Sequence, residues 1–263
     1  MKKSKRAPSA PRVPREAPQG SGAASALVSD ERVKTGVPGL DQMIDGGLER
    51  NSVVLVAGEA GTGKTTLALQ FLYNGITNYD EPGLYITFEE QKGMLLKHMK
   101  NFGWNFDELE KQKKIKFLSY PPHEVDKFIA EGGVVEDMIR DLGVKRVVID
   151  SVTSLLLLYE NEYKRREAFI KTIEALRKWG CTTLLTSEGE GGAQHEARAR
   201  FGIEFLADGF VMIHSIRRGD VRDLALEVVK LRGINHDRKL SPLKITPKGV
   251  SIFPTQPVFG DIK

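Results

Sequence analysis

The stretch that most constrains this chain is Gly58-Glu59-Ala60-Gly61-Thr62-Gly63-Lys64-Thr65. It satisfies G-x-x-x-x-G-K-[ST] at every fixed position, the pattern of a phosphate-binding loop. Its neighbours supply the context that the pattern needs. Residues 52–57 form a short, apolar, β-branched run that reads as a buried strand, and residues 65–72 place apolar side chains at helical spacing. Gly58, Gly61 and Gly63 allow a tight turn and leave room for phosphate oxygens. Backbone N–H groups and the start of the following helix then face the anion. Lys64 brings a point charge to the β- and γ-phosphates, and the Thr65 hydroxyl is placed to ligate Mg²⁺. The predicted phosphate-binding set is Gly58, Glu59, Ala60, Gly61, Thr62, Gly63, Lys64, Thr65 and Thr66.

Two further strands carry acids at their ends. Residues 83–88 read as a strand followed by Glu89-Glu90. A carboxylate there sits on the ligand edge of an open α/β sheet and could polarise a water that attacks the γ-phosphate. The same two acids could instead favour the start of a helix over residues 91–101. Spacing leaves both readings open. Arg146-Val147-Val148-Ile149-Asp150 is an apolar strand ending in Asp, with Ser151 next. Downstream of a phosphate loop, Asp150 reads as the acid that holds Mg²⁺, directly or through water. The predicted metal ligands are therefore Thr65 and Asp150.

A chain of 263 residues with 40% hydrophobic content suits one large α/β domain or two small ones. The net charge of +4 is concentrated in the first 29 residues, leaving the rest within one charge of neutral. Such a body gives no global signal for nucleic acid, although a local basic patch is compatible with it. The single cysteine, Cys181, rules out an intrachain disulfide and reads as a small core residue. No apolar run approaches the ~20 residues of a membrane span. Prolines follow the basic start where a signal peptide needs an apolar stretch. The expectation is a soluble, cytoplasmic protein without a membrane span.

Composition and periodicity predict a disordered basic Pro/Ala/Ser-rich tail over residues 1–30, an ordered domain over 31–256 and a short tail over 257–263. Residues 115–118 read as a strand. Residues 125–142 read as a helix interrupted at Gly132-Gly133, and residues 162–179 as an amphipathic helix. A strand at 181–186 should open into a Gly-rich loop over residues 187–200. Residues 209–215 and 224–231 form a hairpin, followed by short strands at 243–246 and 250–253. The predicted fold is α/β: a mostly parallel twisted sheet with helices on both faces and antiparallel strands added at the C-terminal end.

The motifs taken together resemble the KaiC-like branch of the RecA superfamily. The resemblance covers about residues 31–253. It rests on Thr35-Gly36-Val37-Pro38-Gly39-Leu40-Asp41, Gly46-Gly47-Leu48, the phosphate loop and Gln70-Phe71-Leu72-Tyr73-Asn74-Gly75. Phe88-Glu89-Glu90, Phe102-Gly103-Trp104, Val148-Ile149-Asp150-Ser151, and Lys230-Leu231-Arg232-Gly233 with His236 complete it. The resemblance implies a RecA-like P-loop NTPase core, usually assembled as a ring or a filament and here expected as a hexamer, with ATP between subunits. It assigns Glu89 and Glu90 as the catalytic carboxylate pair. It implies that a neighbour inserts Lys230 and Arg232 towards the γ-phosphate, with Leu231 between them. His236 and Thr246 match nucleotide contacts of the neighbour, and Asn101 and Phe102 a region near the base. Where some members carry a phosphorylated Ser-Thr pair, this chain has Glu204-Phe205, which argues against autokinase activity.

The expected function is therefore a Mg²⁺-dependent ATPase acting as a homo-oligomer, with ATP and Mg²⁺ as cofactors and an unassigned protein client. Lys64, Glu89, Glu90, Lys230 and Arg232 would be its catalytic residues. Two other readings use the same residues. One is a nucleotide-gated binding module with negligible turnover. The other is a DNA-handling relative of recombinases, for which residues 187–200 would have to supply a basic surface.

Overall fold

The computed structural model describes residues 32–120, 132–192 and 195–258. In chain order its strands are β1 (Arg32–Val33), β2 (Leu48–Glu49), β3 (Val53–Gly58), β4 (Gly83–Thr87), β5 (Ile115–Ser119), β6 (Arg146–Asp150), β7 (Thr182–Gly192), β8 (His195–Ala199), β9 (Gly209–Arg218), β10 (Val221–Leu231), β11 (Ser241–Thr246) and β12 (Gly249–Ile252). The helices are α1 (Leu40–Met43), α2 (Lys64–Tyr79), α3 (Lys92–Met99), α4 (Phe106–Lys111), α5 (Gly132–Leu142), α6 (Val152–Leu156) and α7 (Glu162–Lys178).

The main sheet runs β12-β11-β10-β9-β3-β7-β6-β4-β5, with β8 paired to β7. From β9 to β5 the neighbours are parallel. From β9 to β12 they are antiparallel. The mixed sheet expected from strand–helix alternation followed by hairpins is thus the sheet observed. β3 lies at its centre, and all six of its residues are buried. Val54 and Val56 pack on one face with Leu67, Phe71 and Leu226. Val53, Leu55 and Ala57 pack on the other with Phe169, Ile173 and Met212. A strand buried on both faces needs a continuous apolar run, which is why residues 52–57 do not alternate.

Several residues behind the sequence resemblance act as fasteners. Gln70 in α2 donates to the Val250 carbonyl at 3.0 Å and accepts the Val250 N–H at 2.6 Å. Asn74 donates to the Gly36 carbonyl at 2.7 Å. Gly75 lies against Arg146, and a Cβ there would fall 2.4 Å from the Arg146 side chain. Arg146 is 1% exposed, pairs with Glu81 at 2.6 Å, donates to the carbonyls of Phe71 and Lys34, and stacks 4.5 Å from the Phe71 ring. A buried guanidinium is tolerated because every side of it has a partner.

The structure corrects the expectation for residues 187–200. β7 continues to Gly192, and β8 folds back on it with Gly189 level with Ala199. The glycines that read as loop residues allow close packing. A Cβ on Gly189 would lie 2.8 Å from the Ala57 Cβ and 2.9 Å from the Arg198 carbonyl. The helix expected over 91–101 closes at Met99. A 3₁₀ turn over Lys100–Phe102 follows and ends at Gly103. α4 was not anticipated, although its signal is local: the Asn105 side chain caps it by accepting the Glu108 N–H. Residues 1–31, the first part of the expected 125–142 helix and residues 259–263 lie outside the described residues. Among the described residues, no helix is long and apolar enough to cross a membrane.

Removing Arg146 takes the donors from Glu81 Oε2 and from the Phe71 and Lys34 carbonyls at a buried site, leaving Glu81 only its 3.4 Å pair with Arg50. Arg146→Ala is expected to lower unfolding free energy by about 3–5 kcal/mol. Gly75→Ala, which forces the same guanidinium aside, should also be destabilising by about 1–3 kcal/mol. Urea denaturation of both variants measures these losses.

Candidate functional site

β3, β4, β6 and β7 are parallel and end on one edge of the sheet, where α/β folds place their ligands. The phosphate loop leaves β3 at Gly58 and enters α2 at Lys64. Gly63 has φ 89° and lies against the Ile245 side chain, so both conformation and space require glycine. Thr62 is fully buried and donates to the Glu59 carbonyl at 2.8 Å, which braces the loop from inside. Lys64 Nζ donates to the carbonyls of Gly58 and Glu59, each at 2.9 Å. Burial lowers the Lys64 pKa, opposed by the carboxylates of Asp150, Glu188, Glu89 and Glu59.

Asp150 closes β6 against this loop. Its Oδ2 accepts the Thr65 hydroxyl at 2.7 Å and the Tyr85 hydroxyl at 2.6 Å, and its Oδ1 accepts the Thr186 hydroxyl. The two predicted metal ligands are therefore in direct contact. They offer the hydroxyl and carboxylate oxygens that suit a hard cation such as Mg²⁺. With α2 presenting its N-terminus at the same place, the residues fit a nucleoside polyphosphate and its metal. Burial, followed by the Asp150 charge, raises the Tyr85 pKa well above its ordinary value.

The glutamate pair divides. α3 begins at Lys92 with no acid in its first turn, so Glu89 and Glu90 are not helix-start residues. The Thr87 hydroxyl accepts the N–H groups of both at 3.2 Å. Glu89 Oε1 accepts the hydroxyls of Ser151 and Ser154, which turns it towards β6 and the loop. Glu90 instead pairs with His98 of α3 at 3.3 Å. Sequence reasoning missed Tyr85, Thr186, Ser151 and Ser154 as partners of the two key carboxylates. It also missed Glu188, which β7 sets level with Gly58. Thr186 ends the strand read at 181–186 and Glu188 follows two residues later, so their place on the ligand edge was a usable signal, whereas Tyr85 lies inside its strand and gave none.

Lys230 and Arg232 lie at the opposite end of the sheet. Lys230 is level with Phe210, and Phe210 with Leu55. The Arg232 N–H donates to the Asp208 carbonyl, and Asp208 in turn binds both polar groups at the start of β3. At about 3.3 Å per residue, the start of β3 is about 17 Å from Gly58. Lys230 Nζ donates to the carbonyls of Phe205 and Ala207 at 3.1 and 2.7 Å. Burial and the neighbouring Arg232 lower its pKa. Arg232 pairs with Asp208 at 3.4 Å. His236 belongs to the same end, where the next N–H, that of Asp237, donates to the Met43 carbonyl. Thr246 does not, because its neighbour Ile245 touches Gly63 of the loop. Phe102 stacks on Trp104 at 4.9 Å, and Asn101 is exposed in the turn before it. In the β7–β8 hairpin, Arg200 pairs with Glu188, so its charge is matched within the hairpin.

This arrangement has counterparts among known proteins. The family model described as "ATPase: KaiC" matches residues 33–257. The chain belongs to the KaiC ATPase family. The circadian clock oscillator protein KaiC of Parasynechococcus marenigrum is 34% identical over 232 residues, covering 85% of this chain and 45% of that protein. Its namesake in Synechococcus elongatus is 34% identical over 231 residues, covering 85% and 44%. The chain thus spans about half the length of the clock proteins it matches. The crystal structure of a KaiC-like protein from Pyrococcus horikoshii is 37% identical, with a TM-score of 0.76, covering 85% of this chain and 99% of that one. The RecA-superfamily resemblance read from the motifs is therefore correct, and the phosphate loop is that of a KaiC-type nucleotide-binding domain.

Tyr85 yields a pH test. Its folded pKa is raised, so the stabilisation it gives is complete below the unfolded tyrosine pKa of about 10 and is lost as pH rises beyond it. The fall in unfolding free energy between pH 8 and about pH 11 should be smaller in Tyr85→Phe than in the parent chain. Urea midpoints across that range measure it.

Proposed function

We propose that this chain is a Mg²⁺-dependent ATPase that works as a homo-oligomeric ring, hexameric in form, with each nucleotide shared between neighbours. The ATPase domain is taken as residues 31–256, with tails at 1–30 and 257–263. The observation that carries the proposal is the Thr65–Asp150 contact at 2.7 Å beneath the phosphate loop. It brings together a hydroxyl and a carboxylate that, apart, would have no reason to meet.

In this reading Gly58 to Thr66 wrap the phosphates with backbone N–H groups, and Lys64 exchanges two loop carbonyls for phosphate oxygens. Thr65 and Asp150 would hold Mg²⁺, which would supply charge neutralisation to the bound phosphates. Tyr85 and Thr186 fix the Asp150 carboxylate. Glu89 orients the attacking water and accepts its proton, and Glu90 supports that segment through His98. Lys230 and Arg232 lie at the far end of their own sheet, so they serve the loop of an adjacent copy as an arginine finger does. His236 approaches the same neighbouring nucleotide, while Thr246 approaches the chain's own.

The two serine hydroxyls on Glu89 favour a slow enzyme, because one of its oxygens already accepts both and must exchange a serine for the water it orients. A nucleotide-gated module, in which the bound state matters more than turnover, shares this feature and is the second reading.

Phosphate release separates the roles. Glu89→Gln should lower the rate by about a hundredfold or more, and Glu90→Gln by less than about fivefold. Lys64→Ala and Arg232→Ala should each be inactive alone. Refolded together in equal amounts they should recover roughly a quarter of the wild-type rate, the share of interfaces that join an intact loop to an intact finger. No recovery on mixing would place Arg232 outside a shared site.

A further inference from the structure

The β9–β10 hairpin overruns the phosphate loop. Gly58, the last residue of β3, is level with Ile213, yet β9 continues to Arg218 before β10 returns from Val221. At about 3.3 Å per residue the hairpin projects about 16 Å past the end of β3. Arg222 lies on this overhang, directly opposite Arg217 in the register of the pair. Like charges facing each other across a ladder are unfavourable, so Arg222 needs an anion. It finds one in the loop itself: Nη2 lies 2.9 Å from Glu59 Oε2, and Nε donates to the Ser215 hydroxyl.

Glu59 occupies the second position of the loop. The loop pattern leaves its residue type free, and a carboxylate beside a bound polyanion is repulsive. The Glu59 carbonyl also anchors Lys64 and Thr62. One residue thus holds two cations that a phosphate would also attract, Lys64 through its backbone and Arg222 through its side chain. The Arg222–Glu59 pair is about half exposed on both sides. Such a pair contributes little to stability and is easily exchanged, whereas guanidinium binds phosphate oxygens with two parallel donors.

We infer that Arg222 recognises the terminal phosphate of a nucleoside triphosphate bound to its own chain, leaving Glu59 to do so, and that this exchange makes the loop favour triphosphate over diphosphate. The inference rests on the nucleotide reading of the loop. It is separate from Lys230 and Arg232, which lie at the other end of the sheet.

The test is equilibrium titration of the full chain in excess Mg²⁺ with ADP and with the non-hydrolysable β,γ-imido analogue of ATP. Arg222→Ala should weaken analogue binding about tenfold and ADP binding by less than about twofold, with Arg222→Lys recovering part of the loss. Glu59→Gln keeps Arg222 and removes its resting partner, so it should tighten the analogue severalfold and by a larger factor than it tightens ADP. Equal effects of Arg222→Ala on both nucleotides, or none, would overturn the inference, as would an analogue affinity unmoved by Glu59→Gln. Lys64→Ala should lose both nucleotides. A parent chain that bound neither would remove the phosphate-loop reading and this inference with it.

Discussion

The carboxylate of Asp150 is the contact on which the site depends. It stands at the end of β6 and takes hydroxyls from α2, β4 and β7 through Thr65, Tyr85 and Thr186. At 8% exposure an ionised carboxylate would be costly without such donors. With them it ties one helix and three strands to a common point. The register of the parallel strands, the start of α2 and the position of the predicted metal ligands are thus one constraint. Loss of any one donor loosens the others, because each is positioned by the same two oxygens.

The sheet separates the predicted site residues into two groups. The loop, Asp150 and Glu89 share the C-terminal edge of the parallel strands, whereas Arg232 lies beside the start of β3 and Lys230, level with its middle, sends its Nζ to the same end. Parallel strands separate these ends for a simple reason: β10 runs antiparallel to β9, so its last residues return to the level where β3 begins. A single chain cannot fold its own Lys230 onto its own loop without dismantling β9 and β10. Neighbouring copies stacked head to tail would bring the two ends together.

Much of this was legible in the sequence. The phosphate loop, the strand ending in Asp150 and the C-terminal hairpins are local patterns with fixed residue types, and the structure reproduces them. What was not legible depends on partners distant in sequence. Spacing could not divide Glu89 from Glu90, because the division is made by Ser151 and Ser154 on one side and His98 on the other. Residues 187–200 read as a loop because their glycines match turn chemistry. Gly189 is there instead because Ala57 and the Arg198 carbonyl leave no room for a Cβ. Thr246 was grouped with the neighbour's contacts, yet the pairing of β11 sets it beside the chain's own loop. Arg222 carried no signal at all, since nothing local links a hairpin arginine to a loop glutamate.

The central claim is that the nucleotide site is completed by a second copy. The most direct test is the specific rate of phosphate release as a function of protein concentration, with mass measured by light scattering on the same samples in Mg²⁺–ATP. The account predicts that release per chain rises with the fraction assembled and vanishes at dilutions where only single chains remain. A monomer that releases phosphate at an undiminished specific rate would contradict it, because Lys230 and Arg232 would then have no loop within reach.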